Sequence, residues 1–320
     1  MRRFVVSRLW QAMVLMIGVS IIGFALMHLA PGGPVALYTL NPTVTAQDIQ
    51  RIKVQFGLDQ PVYVQYGRWA LGMITGHWGA SFFGGRPVVD IVLERLPATF
   101  ELMGISMVLA MLIGVAIGVL AAVKRHSVFD YAATVWAMLA LSLPTFWFGL
   151  LGIYLFAQTL RWLPAGGRMT TGGGGGIGDQ LIHLLLPVAV LTLVLVAQWS
   201  RYTRSAMLEI LGQDYMRTAR AKGLNPGRVL LRHGLRSAML PLITLGGLQL
   251  PMLFGGALVT ETVFSWPGMG LLFVTALANR DYPVLMAVLM VGALLVIFGN
   301  LAADVIVAFV DPRIRLAGRA

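Results

Sequence analysis

Between Glu101 and Lys124 the sequence reads LMGISMVLAMLIGVAIGVLAAV, a run at residues 102–123 without a charged side chain. A helix needs about 20 mainly apolar residues to cross the hydrocarbon core of a bilayer. Five further runs have about this length, so the sequence predicts an all-α membrane protein with about six transmembrane helices. The predicted spans are residues 9–29, 102–123, 131–156, 184–200, 239–264 and 284–310.

The composition agrees with a membrane location. Of the 320 residues, 58% are hydrophobic and 12% are charged, whereas a soluble domain has about 45–50% apolar and about 25% charged residues. The net charge of +11 would favour a nucleic-acid partner in a soluble protein, but here the basic residues lie between apolar runs, where they orient helices in a membrane. We therefore expect a lipid bilayer around the chain and no nucleic-acid partner. The chain has no cysteine, which excludes a disulfide framework and a thiolate metal site.

The basic residues also predict the topology. If the N-terminus lies in the cytoplasm, the inner segments contain sixteen of the 24 Lys and Arg residues, in residues 2–8, 124–125, 201–236 and 313–319. Because cytoplasmic loops carry an excess of Lys and Arg, we expect both termini in the cytoplasm.

The predicted spans divide the chain into three parts. Residues 1–30 contain the N-terminus and the first span, residues 31–100 form an extracytoplasmic segment with helical stretches, and residues 101–320 form the transmembrane core. Within the core, residues 201–238 form a cytoplasmic loop. The glycine run at residues 172–176 lacks the preceding strand and the following acidic residue of a dinucleotide site, so we interpret it as a flexible external loop.

The sequence contains no recognisable motif of an enzyme. It lacks the phosphate-binding G-x-x-x-x-G-K-[ST] loop, the zinc motif H-E-x-x-H and the nucleophile motif G-x-S-x-G, and its five histidines are scattered without metal-ligand spacing. We therefore predict no catalytic, cofactor-binding or metal residue, and we assign no substrate residue. Polar groups within the apolar runs, such as Gln249, are expected to form hydrogen bonds between helices.

The most unusual stretch is RYTRSAMLEILGQDYMRTARAKGLNPGRVLLRHGLR, residues 201–236. Asp214 is placed to cap a short helix over residues 215–222, and Gly223 is placed to end it in a left-handed conformation. The N-P-G sequence that follows predicts a turn. Two interpretations remain open: a basic loop that only orients the membrane protein, or a short helix that docks on a cytoplasmic partner.

Residues 214–242, DYMRTARAKGLNPGRVLLRHGLRSAMLPL, resemble the EAA loop in the permease subunits of bacterial ABC importers, in particular the dipeptide, oligopeptide and nickel permease family. The E-A-A positions are occupied by Arg217, Thr218 and Ala219, and the R-T-A-x-A-K-G-L variant is similar to the peptide branch. The other matches are PGGP (31–34), FGLDQPVYVQY (56–66), GHWGASF (76–82), ERLPAT (94–99), SLPTF (142–146), ETVFSWPGMG (261–270) and DPRIR (311–315).

This resemblance implies a type I ABC importer permease-like fold in the bacterial cytoplasmic (inner) membrane, with a loop helix that couples to a separate ATPase. Three roles are implied for the loop: capping the helix, close packing and polar contacts with the ATPase. They fall on Asp214 and Gly223, on Ala219 and Ala221, and on Arg217, Arg220 and Lys222, respectively. The whole implied coupling loop is Asp214, Tyr215, Arg217, Thr218, Ala219, Arg220, Ala221, Lys222, Gly223 and Leu224.

The resemblance also implies partners and a substrate. The partners are a second homologous permease, two ABC ATPase subunits that bind ATP and Mg²⁺, and an extracytoplasmic solute-binding protein, so this chain would hold no cofactor and would not be an enzyme. The implied substrates are di- or oligopeptides, with nickel or glutathione as the alternative. A secondary transporter and a membrane-embedded enzyme are the alternatives from other classes, but the sequence shows neither an inverted repeat with paired broken helices nor a polar cluster at membrane depth.

Overall fold

In the computed structural model, residues 2–29, 57–170, 172, 175–255 and 257–310 are described, together with residues 45, 47, 50 and 54. Within these ranges the regular elements are helical, apart from one bridge between Ala80 and Pro87, so the predicted all-α class is confirmed. The helices are α1 (Arg2–Leu29), α2 (Val62–Thr75), α3 (Val88–Val123), α4 (Val128–Ser142), α5 (Thr145–Gly152), α6 (Ile177–Leu211), α7 (Asp214–Ala221), α8 (Arg236–Gly255), α9 (Leu258–Val263), α10 (Met269–Ala278) and α11 (Tyr282–Val310), with a helical turn at Pro226–Arg228 and π-helical segments at Ile153–Thr159 and Val229–Leu235.

Four of these helices, α1, α3, α6 and α11, are long and apolar enough to cross a membrane. They contain the predicted spans 9–29, 102–123, 184–200 and 284–310. The fifth predicted span, residues 239–264, is divided between α8 and α9. The count of six spans and the cytoplasmic position of both termini stay predictions.

The third predicted span, residues 131–156, contains a sharp bend. The helix α4 and the helical residues Thr145–Thr159 together have the length and hydropathy of a span, but they are bent by 99°. Leu143 at the break has an extended backbone, with φ −94° and ψ 139°. Pro144 explains this conformation, because proline lacks an N–H and disfavours the helical region for the residue before it. The apolar run therefore forms two helices rather than one straight span.

The helix α3 begins earlier than the predicted second span. Its first residue is Val88, so residues 88–100, which were expected in the extracytoplasmic segment, form the first turns of α3. The helix α2 also lies in that segment. The motifs at residues 31–34 and 311–315, and residues 173–174 of the glycine run, fall outside the described residues.

The chain forms two compact units, of which the first consists of Met1–Ala98 and Pro267–Ile297. Just before α11, the carboxylate of Asp281 accepts hydrogen bonds from the Ser81 hydroxyl and from the Phe82 N–H, the latter at 3.2 Å. The apolar core of this unit joins α3, α10 and α11. Its buried residues are Val88, Val92, Met269, Ala276, Val284, Leu285, Ala287, Val288 and Val291.

The second unit consists of Thr99–Trp266 and Phe298–Ala320. The helix α6 is the most buried of its long helices, and Trp199 near its middle is 1% exposed. The side-chain amide of Gln249 in α8 donates a hydrogen bond of 3.3 Å to the side-chain oxygen of Gln198 in α6. The predicted hydrogen bond from Gln249 to another helix is therefore confirmed.

The helices α3 and α6 approach each other closely at two glycines, Gly114 and Gly118. A Cβ atom at Gly114 would lie 2.4 Å from the Cβ of Trp199, and one at Gly118 would lie 2.5 Å from the Cβ of Thr203. The spacing is that of the G-x-x-x-G pattern, which lets helix backbones pack closely in a membrane. Any larger residue at either position forces α3 and α6 apart.

Substituting Gly118 tests this contact. Gly118→Ala is expected to lower the free energy of unfolding by about 1–3 kcal/mol, because the added methyl group overlaps Thr203 and the backbone of α6. Thermal unfolding of the purified protein in one detergent measures the effect. The matched control is Gly104→Ala in the same helix, where no atom lies within 4 Å of the added carbon. Equal melting temperatures for the two variants would show that the glycine contact does not hold the helices together.

Candidate functional site

The predicted coupling helix is present as α7, Asp214–Ala221. Because Met216 N–H and Arg217 N–H both donate to the Gln213 carbonyl, at 3.1 and 3.4 Å, Asp214 is the first helical residue instead of the residue before the helix. Its carboxylate still lies in the first turn, where a negative charge is favourable. The exposed pair between Arg217 Nη1 and Asp214 Oδ1, at 3.6 Å, adds little to stability in water.

The end of α7 agrees with the sequence analysis. Lys222 N–H donates the last helical hydrogen bond to the Thr218 carbonyl at 3.1 Å, and Gly223 follows with a φ of +72°. This left-handed conformation strains residues that carry a Cβ atom, so glycine is the favoured residue here. The side chain of Asn225 then accepts a hydrogen bond of 2.9 Å from Gly227 N–H, which forms the predicted turn.

The inner face of α7 packs against the rest of the chain. Met216 and Ala219, three residues apart, are 0% and 9% exposed and form an apolar cluster with Val229 of the π-helical segment. Ile210, Leu211 and Leu224 complete the cluster. The small side chain of Ala219 is therefore used for packing within this chain.

The outer face of α7 is open. Of the two alanines that the sequence analysis assigned to close packing, Ala221 is exposed and Ala219 is not. The side chain of Arg220 falls outside the described part of the chain. The predicted residues that are exposed in the structure are Asp214, Tyr215, Arg217, Thr218, Ala221, Lys222 and Gly223.

A continuous apolar path connects α7 to the long helices. Gly234 lies between the end of the Met216 side chain in α7 and the end of the Met207 side chain in α6: a Cβ atom on Gly234 would be 3.5 Å from each methyl carbon. Met207 is fully buried and packs with Val119 of α3 and Ala238 of α8. Packed side chains therefore connect α7 to three helices of the second unit.

An ion pair fixes the end of α6 that carries this loop. Arg204 donates from Nε to Asp130 Oδ1 at 2.5 Å and from Nη2 to Oδ2 at 2.8 Å. Asp130 is 2% exposed and also accepts a hydrogen bond of 3.0 Å from His126 N–H. Such a two-point pair fixes orientation as well as distance. This pair was not predicted from the sequence. The sequence features that indicate it are one carboxylate at the start of an apolar helix and one arginine near the end of another.

Known proteins resemble this chain over almost its whole length. Residues 114–316 match the family described as binding-protein-dependent transport system inner membrane component, and residues 1–103 match the N-terminal family of these membrane components. The oligopeptide transport system permease protein AppB of Bacillus subtilis is 43% identical, over 98% of this chain and 99% of AppB. The dipeptide transport system permease protein DppB of Escherichia coli K12 is 38% identical, over 98% of this chain and 99% of DppB.

A solved structure supports the fold. A chain of the MetNI methionine ABC transporter in an inward-facing form superimposes with a TM-score of 0.57 and 20% sequence identity, over 70% of this chain and 98% of that one. This likeness shows that the two chains share a fold.

Removing the carboxylate of the ion pair gives a test of the site. Asp130→Ala is expected to lower the free energy of unfolding by about 1.5–3 kcal/mol, because it removes the charged hydrogen bonds to the partly exposed Arg204 guanidinium. Arg204→Lys should have a smaller effect, since an ammonium group keeps the charge but not the two-point geometry. Both are measured by thermal unfolding. Arg201→Ala, an exposed position on the same helix, is the control, and a loss as large as that of Asp130→Ala would contradict a specific role for the pair.

Proposed function

The chain belongs to the family of binding-protein-dependent transport system inner membrane components, and we propose that it is the membrane-spanning permease of an ATP-driven importer of di- or oligopeptides. The observation that carries this proposal is the similarity to AppB and DppB, which extends over 98% of the chain. The names of these two relatives favour peptides over nickel or glutathione.

In this proposal α7 is the element that receives the movement of the ATPase. Its outer face, with Tyr215, Thr218, Ala221 and Lys222, fits into a groove of an ATPase subunit. Its inner face transmits the movement through Met216 to the long helices. This is rigid-body coupling between two discrete arrangements, which requires a stiff element with one fixed and one open face. The packing of α7 and the exposure of its other side support that role.

The complete transporter contains a second homologous permease, two ATPase subunits that hold ATP and Mg²⁺, and an extracytoplasmic solute-binding protein. It lies in the bacterial inner membrane, with both termini of this chain in the cytoplasm. Residues 31–100 then form the extracytoplasmic segment, and residues 101–320 the transmembrane core with its coupling loop at 201–238. The excess of basic residues in the inner segments supports this orientation.

Substitutions at the two alanines of α7 distinguish an effect on coupling to the ATPase from an effect on folding. Ala221→Trp on the open face is expected to abolish peptide uptake while the complex keeps its melting temperature, because the bulky ring blocks close approach of the ATPase. Ala219→Trp on the buried face is expected to lower the free energy of unfolding by about 1–3 kcal/mol or more, since it overpacks the cluster with Met216 and Val229.

Uptake into proteoliposomes, ATP hydrolysis and thermal unfolding are measured on the same preparations. Ala221→Ser, which keeps a small side chain, is the control and should transport normally. Wild-type uptake by Ala221→Trp would exclude the open face of α7 from coupling.

The transport function itself is tested on the native assembly. Purification of the tagged chain from its host in mild detergent is expected to recover a second permease and P-loop ATPases, identified by mass spectrometry. After reconstitution with its solute-binding protein, the complex should accumulate labelled di- or oligopeptides only when ATP is present. Accumulation of nickel or glutathione without peptide would replace the proposed substrate, and a chain that purifies alone would contradict the importer.

A further inference from the structure

The helix α2, with the sequence VYVQYGRWALGMIT, packs one side against the spanning helix α1. The hydroxyl of Tyr66 is 2.9 Å from that of Ser20, and the side-chain oxygen of Gln65 is 3.1 Å from His28 Nε2. Phe24, which is 9% exposed, lies between these contacts. The rings of Tyr66 and Trp69 are 5.4 and 5.8 Å from its ring.

These contacts fix the depth of α2 in the membrane. Ser20 and His28 are eight residues apart in α1, which is about 12 Å along a helix axis. One leaflet contributes about 15 Å of hydrocarbon, half of the full core. The apolar span of α1 ends at Leu29, so α2 lies beside the last part of that span. It is thus at the level of a leaflet, the outer one in the proposed topology, and not above the membrane.

The side of α2 that faces away from α1 is apolar. Tyr63, Leu71 and Ile74 are 77%, 64% and 85% exposed, and with Gly67 they follow a spacing of four, four and three residues. This spacing places them on one stripe of the helix. Arg68 and Thr75, also exposed and seven residues apart, lie together on the neighbouring face.

The spanning helix α1 also exposes apolar side chains near its end. Ile22, Leu26 and Leu29 are 62%, 63% and 78% exposed, and they lie on the side of α1 away from Ser20, Phe24 and His28. Large apolar surfaces of this kind require a partner or lipid. Interfacial helices combine an apolar face with basic residues on the polar face, and Arg68 is the basic residue beside this stripe.

We propose that α2 is an interfacial helix of the outer leaflet, with Tyr63, Leu71 and Ile74 in contact with lipid acyl chains and Arg68 directed to the phosphate groups. The occupant of the apolar face is then the bilayer itself, not the binding protein or the second permease. This placement makes α2 a part of the membrane surface.

The absence of cysteine from the chain allows single labels without prior substitutions. Ile74→Cys and Thr75→Cys are neighbours in sequence on the apolar and polar faces, and Tyr63→Cys and Arg68→Cys, five residues apart, form a second pair on these two faces. Each variant is labelled with an environment-sensitive fluorophore in the assembled complex and placed in nanodiscs with or without bromine on the acyl chains. The wild-type complex, treated in parallel, gives the background from cysteines of the partner subunits.

Labels at Ile74 and Tyr63 are expected to lose emission to the brominated lipid and little to iodide in solution, because an interfacial helix buries its apolar face about 5–10 Å below the headgroups. Labels at Thr75 and Arg68 should show the reverse. Equal quenching by iodide within each pair would show that the stripe faces water. Protection of Ile74 and Tyr63 from both quenchers would show that a protein surface covers the stripe, and either result overturns the proposal. If Ile74→Cys fails to assemble, Tyr63→Cys and Leu71→Cys carry the same test.

Discussion

The close contact of α3 with α6 at Gly114 and Gly118 is the constraint on which the rest of the second unit depends. Lipid tails are as apolar as leucine, so helices in a bilayer associate through packing and hydrogen bonds and not through the hydrophobic effect. A Cβ atom at either glycine would lie within 2.5 Å of an atom of α6, which means that the two backbones already touch. The part of α6 beyond this contact leads directly into α7.

Hydrogen bonds and an ion pair between polar side chains fix the orientation of the helices in this packing. The ion pair of Asp130 and Arg204 joins the first turn of α4 to the last part of α6, and the side chain of Gln249 joins α8 to α6. Near the opposite end of the second unit, the hydroxyl of Thr99 donates to the fully buried Glu261 at 2.8 Å. Each of these groups would be costly to bury without a partner. The partners therefore fix the rotation of each helix, which apolar contacts alone define less precisely.

Some features were predictable from the sequence because their signals are local. An apolar run such as residues 102–123 can only be stable as a helix in lipid, and Gly223 ends α7 because it tolerates a positive φ. The bend at Pro144 was not assigned because a proline can kink a span or break it. The inward direction of Ala219 and the partner of Asp130 depend on residues distant in the sequence. Within residues 214–223 the spacing of Met216 and Ala219 marks an apolar face, but nothing in that stretch identifies Val229 as its partner.

The length of α7 decides how it can work. An isolated helix shorter than about 12–15 residues is barely stable in water, and α7 has eight residues. Its stiffness must therefore come from the cluster of Met216, Ala219 and Val229 and from the left-handed stop at Gly223. A partner that pushes on the open face acts on this cluster and, through Met207, on α3 and α8. Because a packed core has discrete arrangements and does not deform continuously, the inner face of α7 decides whether a force on the outer face moves the long helices or only bends a loop.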